Sequence, residues 1–325
     1  MASLIGVIFA GIVVLLISGC GAKEEKVTLK LAHALDTGHS VHKAMVFMGE
    51  KLEKLSGGTM GVDIYPSGQL GTERDMMELL QIGSLAITKV STSPMESFVP
   101  EMKVFSIPYV FRSEDHLWNV LEGEIGDNLL VAGEVVRLRG LAFYDSGSRS
   151  FYTNEKPIHK PSDLEGLKIR VQKSQTSVRM IEAMGGAATP ISFGELYTAL
   201  QQGVVDGAEN NPPSFFLSKH YDIARYYTLD MHTSVPDILL ISSHIWNKLT
   251  AEQQGWVSEA ARLSVPHQRE LWKISTDEAL KAVEEAGVEI IRPDKSLFQA
   301  AVKDMHESYR GSPVYDLMQK IADIN

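Results

Sequence analysis

Residues 166–213 contain the side chains whose types and order point most directly to chemistry. The segment opens with Gly-Leu-Lys-Ile-Arg-Val at 166–171, an alternation typical of a β-strand. Alternation places Lys168, Arg170 and Gln172 on one face of that strand. An arginine is costly to bury at the carboxyl end of a strand unless an anion pairs with it. Arg170 therefore predicts half of a binding cleft for a small carboxylic acid.

The same segment ends in Asp-Gly-Ala-Glu-Asn-Asn-Pro at 206–212. Asn210 offers both a donor and an acceptor to a ligand beside Arg170, although an asparagine here could instead close a turn. Glu209 provides the structural alternative for Arg170, because an internal ion pair would also satisfy a buried guanidinium. Arg149, in the segment 145–154, is a candidate second cation, with a solvated turn residue as its alternative. Two arginines in a closed cleft would demand an anionic ligand.

Glu73 and His33 are candidates for contacts with ligand hydroxyls. Glu73 would accept hydrogen bonds from a polyol acid, whereas the alternative is an acid that stabilises the dipole of a helix first turn. His33 ends the first predicted strand, where α/β folds place ligand groups, and it could equally be structural. With His39 and His42 it forms a three-histidine string, but no Cys, Asp or Glu completes the set locally. We therefore expect no metal and no other cofactor.

The remaining candidates for the site are an aromatic side chain and three small or amide donors. Phe193 could stack on the apolar face of a ligand or belong to the core. Gln172 shares the polar face of the Arg170 strand, and Thr92 and Ser93 follow the third predicted strand.

The elements that must position these residues alternate between strand and helix. Strand patterns at 27–33, 61–65 and 85–90 are separated by helical patterns at 41–55 and 72–82, the second with a Thr72–Asp75 capping box. This order predicts an α/β fold with parallel pairing. A second capping box is predicted at Ser192 and Glu195. The C-terminal region predicts a long helix over 251–286 that Pro266 interrupts or kinks.

Two crossings of the chain, near 141–154 and 233–241, predict a two-lobed clamshell of the periplasmic-binding-protein type. The first lobe would comprise residues 27–148 and 236–274, and the second 149–235 and 275–325, with the long helix spanning the hinge. The ligand would lie between the lobes at the carboxyl ends of strands.

Composition limits the possible partners. The 325 residues suit about two domains. The formal net charge of −10 argues against nucleic acid and against an anionic membrane surface as the main partner. The sequence contains no nucleotide-binding glycine loop and no serine- or zinc-hydrolase motif.

The N-terminus has the pattern of an export signal. Residues 4–17 are apolar over the length of a signal peptide, and Ile-Ser-Gly-Cys at 17–20 resembles a bacterial lipobox. Residues 1–20 are thus predicted to be a lipoprotein signal peptide, with lipidation of Cys20 anchoring the protein to a membrane. The alternative is an uncleaved anchor helix. Both place the folded part outside the cytoplasm, in the periplasm or at the cell surface.

Four motifs in order resemble the DctP family of substrate-binding proteins of tripartite ATP-independent periplasmic (TRAP) transporters. They are Tyr-Pro-Ser-Gly-Gln-Leu-Gly with Glu73, the strand 166–171, the segment 190–203 and Val-Asp-Gly-Ala-Glu-Asn at 205–210. The resemblance implies a receptor without catalysis, in which Arg170 grips the ligand carboxylate and Asn210 contacts ligand and arginine together. It also implies a membrane permease as partner.

Segments 145–154 and 208–213 resemble family members that bind sugar acids such as glucuronate or galacturonate. A C4-dicarboxylate, a keto acid or sialic acid remains an alternative ligand, and a secreted sugar-acid lyase or hydrolase is the alternative of another class.

Overall fold

The computed structural model describes residues 26–325, and its strands form two sheets. In chain order the strands are β1 (Val27–Ala32), β2 (Met60–Tyr65), β3 (Ile87–Ser91), β4 (Leu138–Tyr144), β5 (Ser148–Thr153), β6 (Lys168–Val171), β7 (Ala187–Pro190), β8 (Gly207–Asn210), β9 (Tyr226–Ser234), β10 (Asp237–Ser242) and β11 (Glu289–Ile291). The first sheet has the order β2-β1-β3-β10-β4 and the second the order β11-β9-β5-β8-β6-β7. Each sheet with its helices is one lobe, and the predicted two-lobed α/β fold is confirmed.

Helices connect and cover the strands. They are α1 (Ser40–Leu55), α2 (Glu73–Gln81), α3 (Thr92–Met95), α4 (Glu114–Leu121), α5 (Glu124–Ala132), α6 (Gln175–Ala183), α7 (Leu196–Gln201), α8 (Pro212–Leu217), α9 (Ser243–Trp246), α10 (Ala251–Glu285), α11 (Lys295–Ala301), α12 (Lys303–Glu307) and α13 (Pro313–Ala322). Short 3-10 turns lie at Pro100–Phe105, Gly133–Val136, Pro161–Leu164, Phe193–Glu195 and His220–Asp222.

Strand directions follow the prediction only in part. β1 pairs in parallel with both β2 and β3, as the strand–helix–strand rhythm predicts. β10 pairs antiparallel with β3 and β4, because the chain enters it directly from the other lobe without a crossover helix. In the second lobe β6 is parallel to β7 and β8, while β5 is antiparallel to β8 and β9. The adjacent strands β5, β8 and β6 therefore bring distant parts of the sequence side by side.

The two predicted helix starts have different outcomes. The capping box at Thr72 is confirmed: its hydroxyl accepts from Asp75 N at 3.3 Å, and Asp75 Oδ2 accepts from Thr72 N at 2.8 Å. The predicted box at Ser192 is wrong. A tight 3-10 turn occupies Phe193–Glu195, Ser192 makes no side-chain cap, and α7 begins only at Leu196.

The two crossings between the lobes are short, and α10 supports the first of them. The chain passes from β4 to β5 through residues 145–147 and from β9 to β10 through 235–236. Gln268 of α10 is fully buried and donates to Asp145 O at 2.8 Å, while Asp145 N donates to Gln268 Oε1 at 2.7 Å. Helix α10 packs on α1 and β4 in the first lobe and on α8 in the second, so it spans the hinge.

Pro266 lies inside α10, and the helix continues through it from Ala251 to Glu285. A proline in a helix interior costs about 3 kcal/mol through its missing N–H and its ring clash. The packing of α10 against both lobes offsets this cost, since tertiary contacts provide most helix stability in proteins. The predicted interruption is therefore absent.

The C-terminal residues contact both lobes, whereas residues 275–325 were predicted to belong to the second. Helix α12 packs on α6 of the second lobe, but α13 packs on the turn Pro100–Phe105 of the first. Arg112 Nη1 donates to Ala322 O at 2.8 Å, and His116 Nε2 lies 3.0 Å from Ile321 O. The predicted lobe limits stay predictions.

The predicted signal peptide and Cys20 lie outside the described residues. Among residues 26–325, none of the helices combines the length and the hydropathy that a bilayer crossing requires.

Candidate functional site

A cavity of about 330 Å³ lies between the lobes. It is bordered by the residues at and just after the carboxyl ends of β1, β3, β6 and β8, where open α/β sheets bind ligands. Its size falls within the range of small-molecule sites. Charged and amide side chains meet on its wall. They are Glu73, Lys89, Arg149, Arg170, Gln172, Asn210 and Asp237, and the rings of His39 and Phe193 lie beside them.

Arg170 is the buried cation of the second-lobe wall whose N–H donors are not all used within the protein. It lies on β6 in register with Thr189 of β7 and Ala208 of β8, so backbone covers it on both sides and it is 1% exposed. Its Nε donates to Ile191 O at 2.8 Å. Its Nη1 is buried and has no hydrogen-bond partner among the described residues. Burial lowers the pKa of Arg170, although Glu209 opposes this shift. A guanidinium in this state can donate two parallel hydrogen bonds to a carboxylate.

Arg149 is held by the protein itself. Its Nε contacts Glu209 Oε2, and its Nη2 donates to Glu209 Oε1 at 2.9 Å and to Glu209 O at 2.7 Å. Its Nη1 donates to Asn210 Oδ1 at 2.9 Å. Four of the five guanidinium N–H groups are thus engaged within the protein. The internal ion pair considered for Arg170 therefore forms with Arg149 instead, because β5 and β8 are direct neighbours.

The Glu209 carboxylate belongs to a larger buried network. Its burial would raise its pKa, but Arg149 and then His232 outweigh burial and lower it to about 2. His232 Nδ1 lies 2.8 Å from Asp230 Oδ2, and its Nε2 lies 3.6 Å from Glu209 Oε2. Burial would lower the pKa of His232, but these carboxylates, Asp230 foremost, raise it to about 9. These contacts keep the Glu209 carboxylate ionised and engaged within the protein, so it is not available to bind a ligand.

Asn210 lies on the cavity wall with its side-chain oxygen already used. That oxygen accepts from Arg149 Nη1 and from Asn211 N, each at 2.9 Å. The amide nitrogen of Asn210 is therefore the group that it can offer to a ligand. Phe193 and Gln172 also line the cavity, where a ring face and an amide are available.

An ion cluster that was not predicted faces these groups from the first lobe. Lys89 of β3 lies 2.9 Å from Asp237 Oδ1 of β10 and 3.6 Å from Glu73 Oε1 of α2. Burial would lower the pKa of Lys89, but Asp237 and Glu73 outweigh it and raise that pKa. Burial also raises the pKa of Glu73, against the opposing effect of Lys89. Ser91 N donates to Glu73 Oε1 at 3.0 Å, so Glu73 does more than cap α2.

The sequence signals for this cluster were two charged residues in or next to apolar strand patterns. Lys89 interrupts the strand pattern Ile-Thr-Lys-Val, and Asp237 immediately precedes Ile-Leu-Leu-Ile. A charged residue inside such a run needs a partner when it is buried. Their pairing became visible only with the antiparallel register of β3 and β10.

The histidines are arranged differently from the prediction. His33 does not line the cavity: its Nδ1 accepts from Leu35 N at 3.1 Å, and its Nε2 lies 2.9 Å from His42 Nδ1. His39 lines the cavity instead. Its Nδ1 accepts from Val41 N at 3.2 Å, and its Nε2 is buried without a partner among the described residues. Burial, reinforced by the charge of Lys89, lowers the pKa of both His33 and His39 to about 3.

Thr92 and Ser93 also lie outside the cavity lining, whereas Ser91 belongs to it. Thr92 Oγ1 donates to Pro236 O at 3.0 Å. Ser93 Oγ lies 3.2 Å from Ser177 Oγ of α6, a contact that joins the two lobes beside the cavity. Among residues 26–325, no group of three or more His, Cys, Asp or Glu side chains is placed to hold a metal ion.

Two α/β lobes, two chain crossings and a cavity between the lobes with buried charged side chains on its walls define an extracytoplasmic solute-binding protein. The sequence profile of the DctP family, described as bacterial extracellular solute-binding protein, family 7, matches residues 31–312. The chain belongs to this family, and it is a receptor of the TRAP type and not an enzyme.

Relatives and solved structures agree with this family. An uncharacterized protein named YiiZ from Salmonella typhimurium is 40% identical over 296 residues, which cover 90% of each chain. A TRAP periplasmic solute-binding protein from Bradyrhizobium sp. BTAi1, crystallised with D-galacturonate, is 41% identical with a TM-score of 0.89 over 91% of this chain and 99% of its own. One from Pseudomonas putida F1 with bound D-glucuronate is 38% identical, with a TM-score of 0.89 over 92% and 98%.

Proposed function

We propose that this receptor captures a hexuronate, of the glucuronate or galacturonate kind, and delivers it to a TRAP permease. The observation that carries the proposal is Arg170, a buried guanidinium with an unpartnered Nη1 on the wall of a cavity of about 330 Å³. The two solved relatives described above contain bound uronates at 41% and 38% identity. Each of these two bound ligands has a single carboxylate, which one guanidinium can bind.

In the proposed complex the ligand carboxylate pairs with Arg170, and Asn210 donates its amide nitrogen to the same end. Phe193 lies against a face of the sugar ring, and Gln172 provides a further donor. Glu73 accepts from ring hydroxyls on the first-lobe side. Because the two walls belong to different lobes, a ligand that contacts both favours the closed arrangement.

We also propose that export exposes the folded part outside the cytoplasm and that a lipid on Cys20 anchors it there. The support is the resemblance of residues 17–20 to a lipobox. In the full-length protein expressed in bacteria, Cys20→Ala should move the receptor from the membrane fraction to the soluble fraction. Retention in the membrane would favour an uncleaved anchor helix.

Isothermal titration calorimetry with the purified protein tests the ligand class. The panel contains D-glucuronate, D-galacturonate, succinate, pyruvate and N-acetylneuraminate. We expect micromolar or tighter dissociation constants for a uronate, about −8 kcal/mol, and binding weaker by at least 100-fold for the others. Tightest binding of succinate, pyruvate or N-acetylneuraminate would replace the hexuronate by that acid. Arg170→Met should weaken uronate binding by at least about 100-fold, and Arg262→Met, which removes an exposed arginine of α10, is the matched control.

A further inference from the structure

The first-lobe wall of the cavity has an excess of negative charge. Glu73 and Asp237 contribute two carboxylates, and Lys89 contributes one ammonium that lies between them. All three line the cavity and are largely buried, with side-chain exposures of 15%, 4% and 3% respectively. Arg74 also lines the cavity, but it is exposed and its Nε pairs with Glu78 Oε1 at 3.0 Å. The two buried acids against one buried base therefore leave this wall with a formal charge of about −1, in a medium where water screens little.

The second-lobe wall has the opposite excess. Glu209 neutralises Arg149, and the exposed lining residues Lys173 and Glu195 have opposite charges, so the buried charge of Arg170 remains. The cavity is therefore polarised, with one uncompensated positive charge at Arg170 and one uncompensated negative charge at the Glu73–Lys89–Asp237 cluster. A ligand carboxylate is therefore attracted to the second-lobe wall and repelled by the first-lobe wall.

The histidines next to the cluster do not change this balance. His39 accepts a hydrogen bond from Val41 N through Nδ1, which fixes the neutral tautomer with the proton on Nε2. Its buried Nε2–H has no partner among the described residues and belongs to a side chain on the cavity wall. A neutral N–H is a donor suited to a hydroxyl or ring oxygen. His33 uses both ring nitrogens within the protein and adds no charge.

We propose that His39, Glu73, Lys89 and Asp237 form a subsite that accepts the uncharged, hydroxylated end of the ligand and rejects a second carboxylate. The receptor thereby selects monoacids over the corresponding diacids. This inference rests on the proposed function, since it assigns the end of the hexuronate that does not face Arg170. Sugar hydroxyls can each donate to one of the two carboxylates and can accept from His39, whereas a second carboxylate can only accept.

The test compares D-galacturonate with D-galactarate, which carries a second carboxylate at the other end of the six-carbon chain. Calorimetry should give a dissociation constant for galactarate at least 30-fold weaker. Glu73→Gln removes one negative charge but keeps an acceptor for Ser91 N, and it should reduce this preference at least 10-fold. Glu50→Gln, at an exposed position of α1 that does not line the cavity, makes the same charge change and should leave the preference unaltered. Asp237→Asn provides a second variant with the same expectation as Glu73→Gln.

The outcomes separate this inference from the proposed function. Equal or tighter binding of galactarate, or a preference unchanged in both Glu73→Gln and Asp237→Asn, overturns the subsite. If the tightest ligand of the wider panel is a monoacid other than a uronate, the hexuronate assignment fails and the selection of monoacids stands. If that ligand is a diacid, the subsite fails. Binding of none of the acids contradicts both.

Discussion

Substitution by methionine should affect different properties at the two arginines of the cavity: ligand affinity at Arg170 and folding stability at Arg149. Arg170→Met and Arg149→Met each replace a buried guanidinium by an unbranched apolar side chain. Arg170 makes one hydrogen bond within the protein, to Ile191 O, and leaves Nη1 without a partner among the described residues. Arg149 makes four hydrogen bonds to Glu209 and Asn210. The first arginine is expected to serve the ligand and the second to serve the fold.

For Arg170→Met we expect a large loss of affinity and little change in stability. Two charge-assisted hydrogen bonds to a carboxylate contribute roughly 1.5–3 kcal/mol each, which corresponds to a loss of about 10²- to 10⁴-fold in affinity. The free energy of unfolding without ligand should change by less than about 1 kcal/mol, because relief of the buried unpaired charge offsets the lost bond to Ile191 O.

For Arg149→Met we expect the free energy of unfolding to fall by roughly 3–5 kcal/mol, because Glu209 stays buried without its main partner. Urea denaturation measures both free energies, and calorimetry with D-glucuronate measures both affinities. A double variant, Arg149→Met with Glu209→Gln, should recover part of the lost stability because it removes the orphaned charge. If Arg170→Met proves as destabilising as Arg149→Met, the assignment of a free and a held arginine is refuted.

Four further substitutions test other parts of the molecule. His39→Asn keeps an acceptor at the start of α1 but removes the Nε2–H donor; it should weaken uronate binding about 3- to 10-fold in calorimetry at unchanged thermal stability, and an unchanged affinity would contradict contact with the ligand. His232 has a pKa raised to about 9, so its stabilising contribution is complete below pH 6.5 and is lost as pH rises through 9. Urea denaturation should show a decline of up to about 3 kcal/mol over that interval, absent in His232→Gln. Glu209, with a pKa lowered to about 2, contributes above pH 4.5 and loses its contribution as pH falls toward 2; Glu209→Gln should flatten that acid limb. Gln268→Met leaves the N–H and C=O of Asp145 unpaired at the first crossing and should lower the unfolding free energy by roughly 2–6 kcal/mol, whereas an unchanged value would show that α10 does not support the hinge.

Much of this protein was determined by short-range patterns in its sequence. The alternation of residues 166–171 predicted the strand of Arg170, and the Thr72–Asp75 box predicted the start of α2. Such signals act within a few residues of the chain, through backbone hydrogen bonds and the direction of neighbouring side chains. The two crossings, and with them the clamshell, followed from the order of these elements. The ordered motifs around Arg170 and Asn210 indicated the family.

Pairing between distant residues was decided only by the tertiary structure. The sequence suggested Glu209 only as an alternative partner for Arg170, whereas the adjacency of β5 and β8 pairs it with Arg149. Lys89 meets Asp237 because β10 returns from the second lobe antiparallel to β3. His39, and not His33, lies on the cavity wall. At the start of α1 the ring of His39 accepts from Val41 N, whereas the ring of His33 contacts His42. Each outcome depends on strand register and burial, which no local pattern encodes.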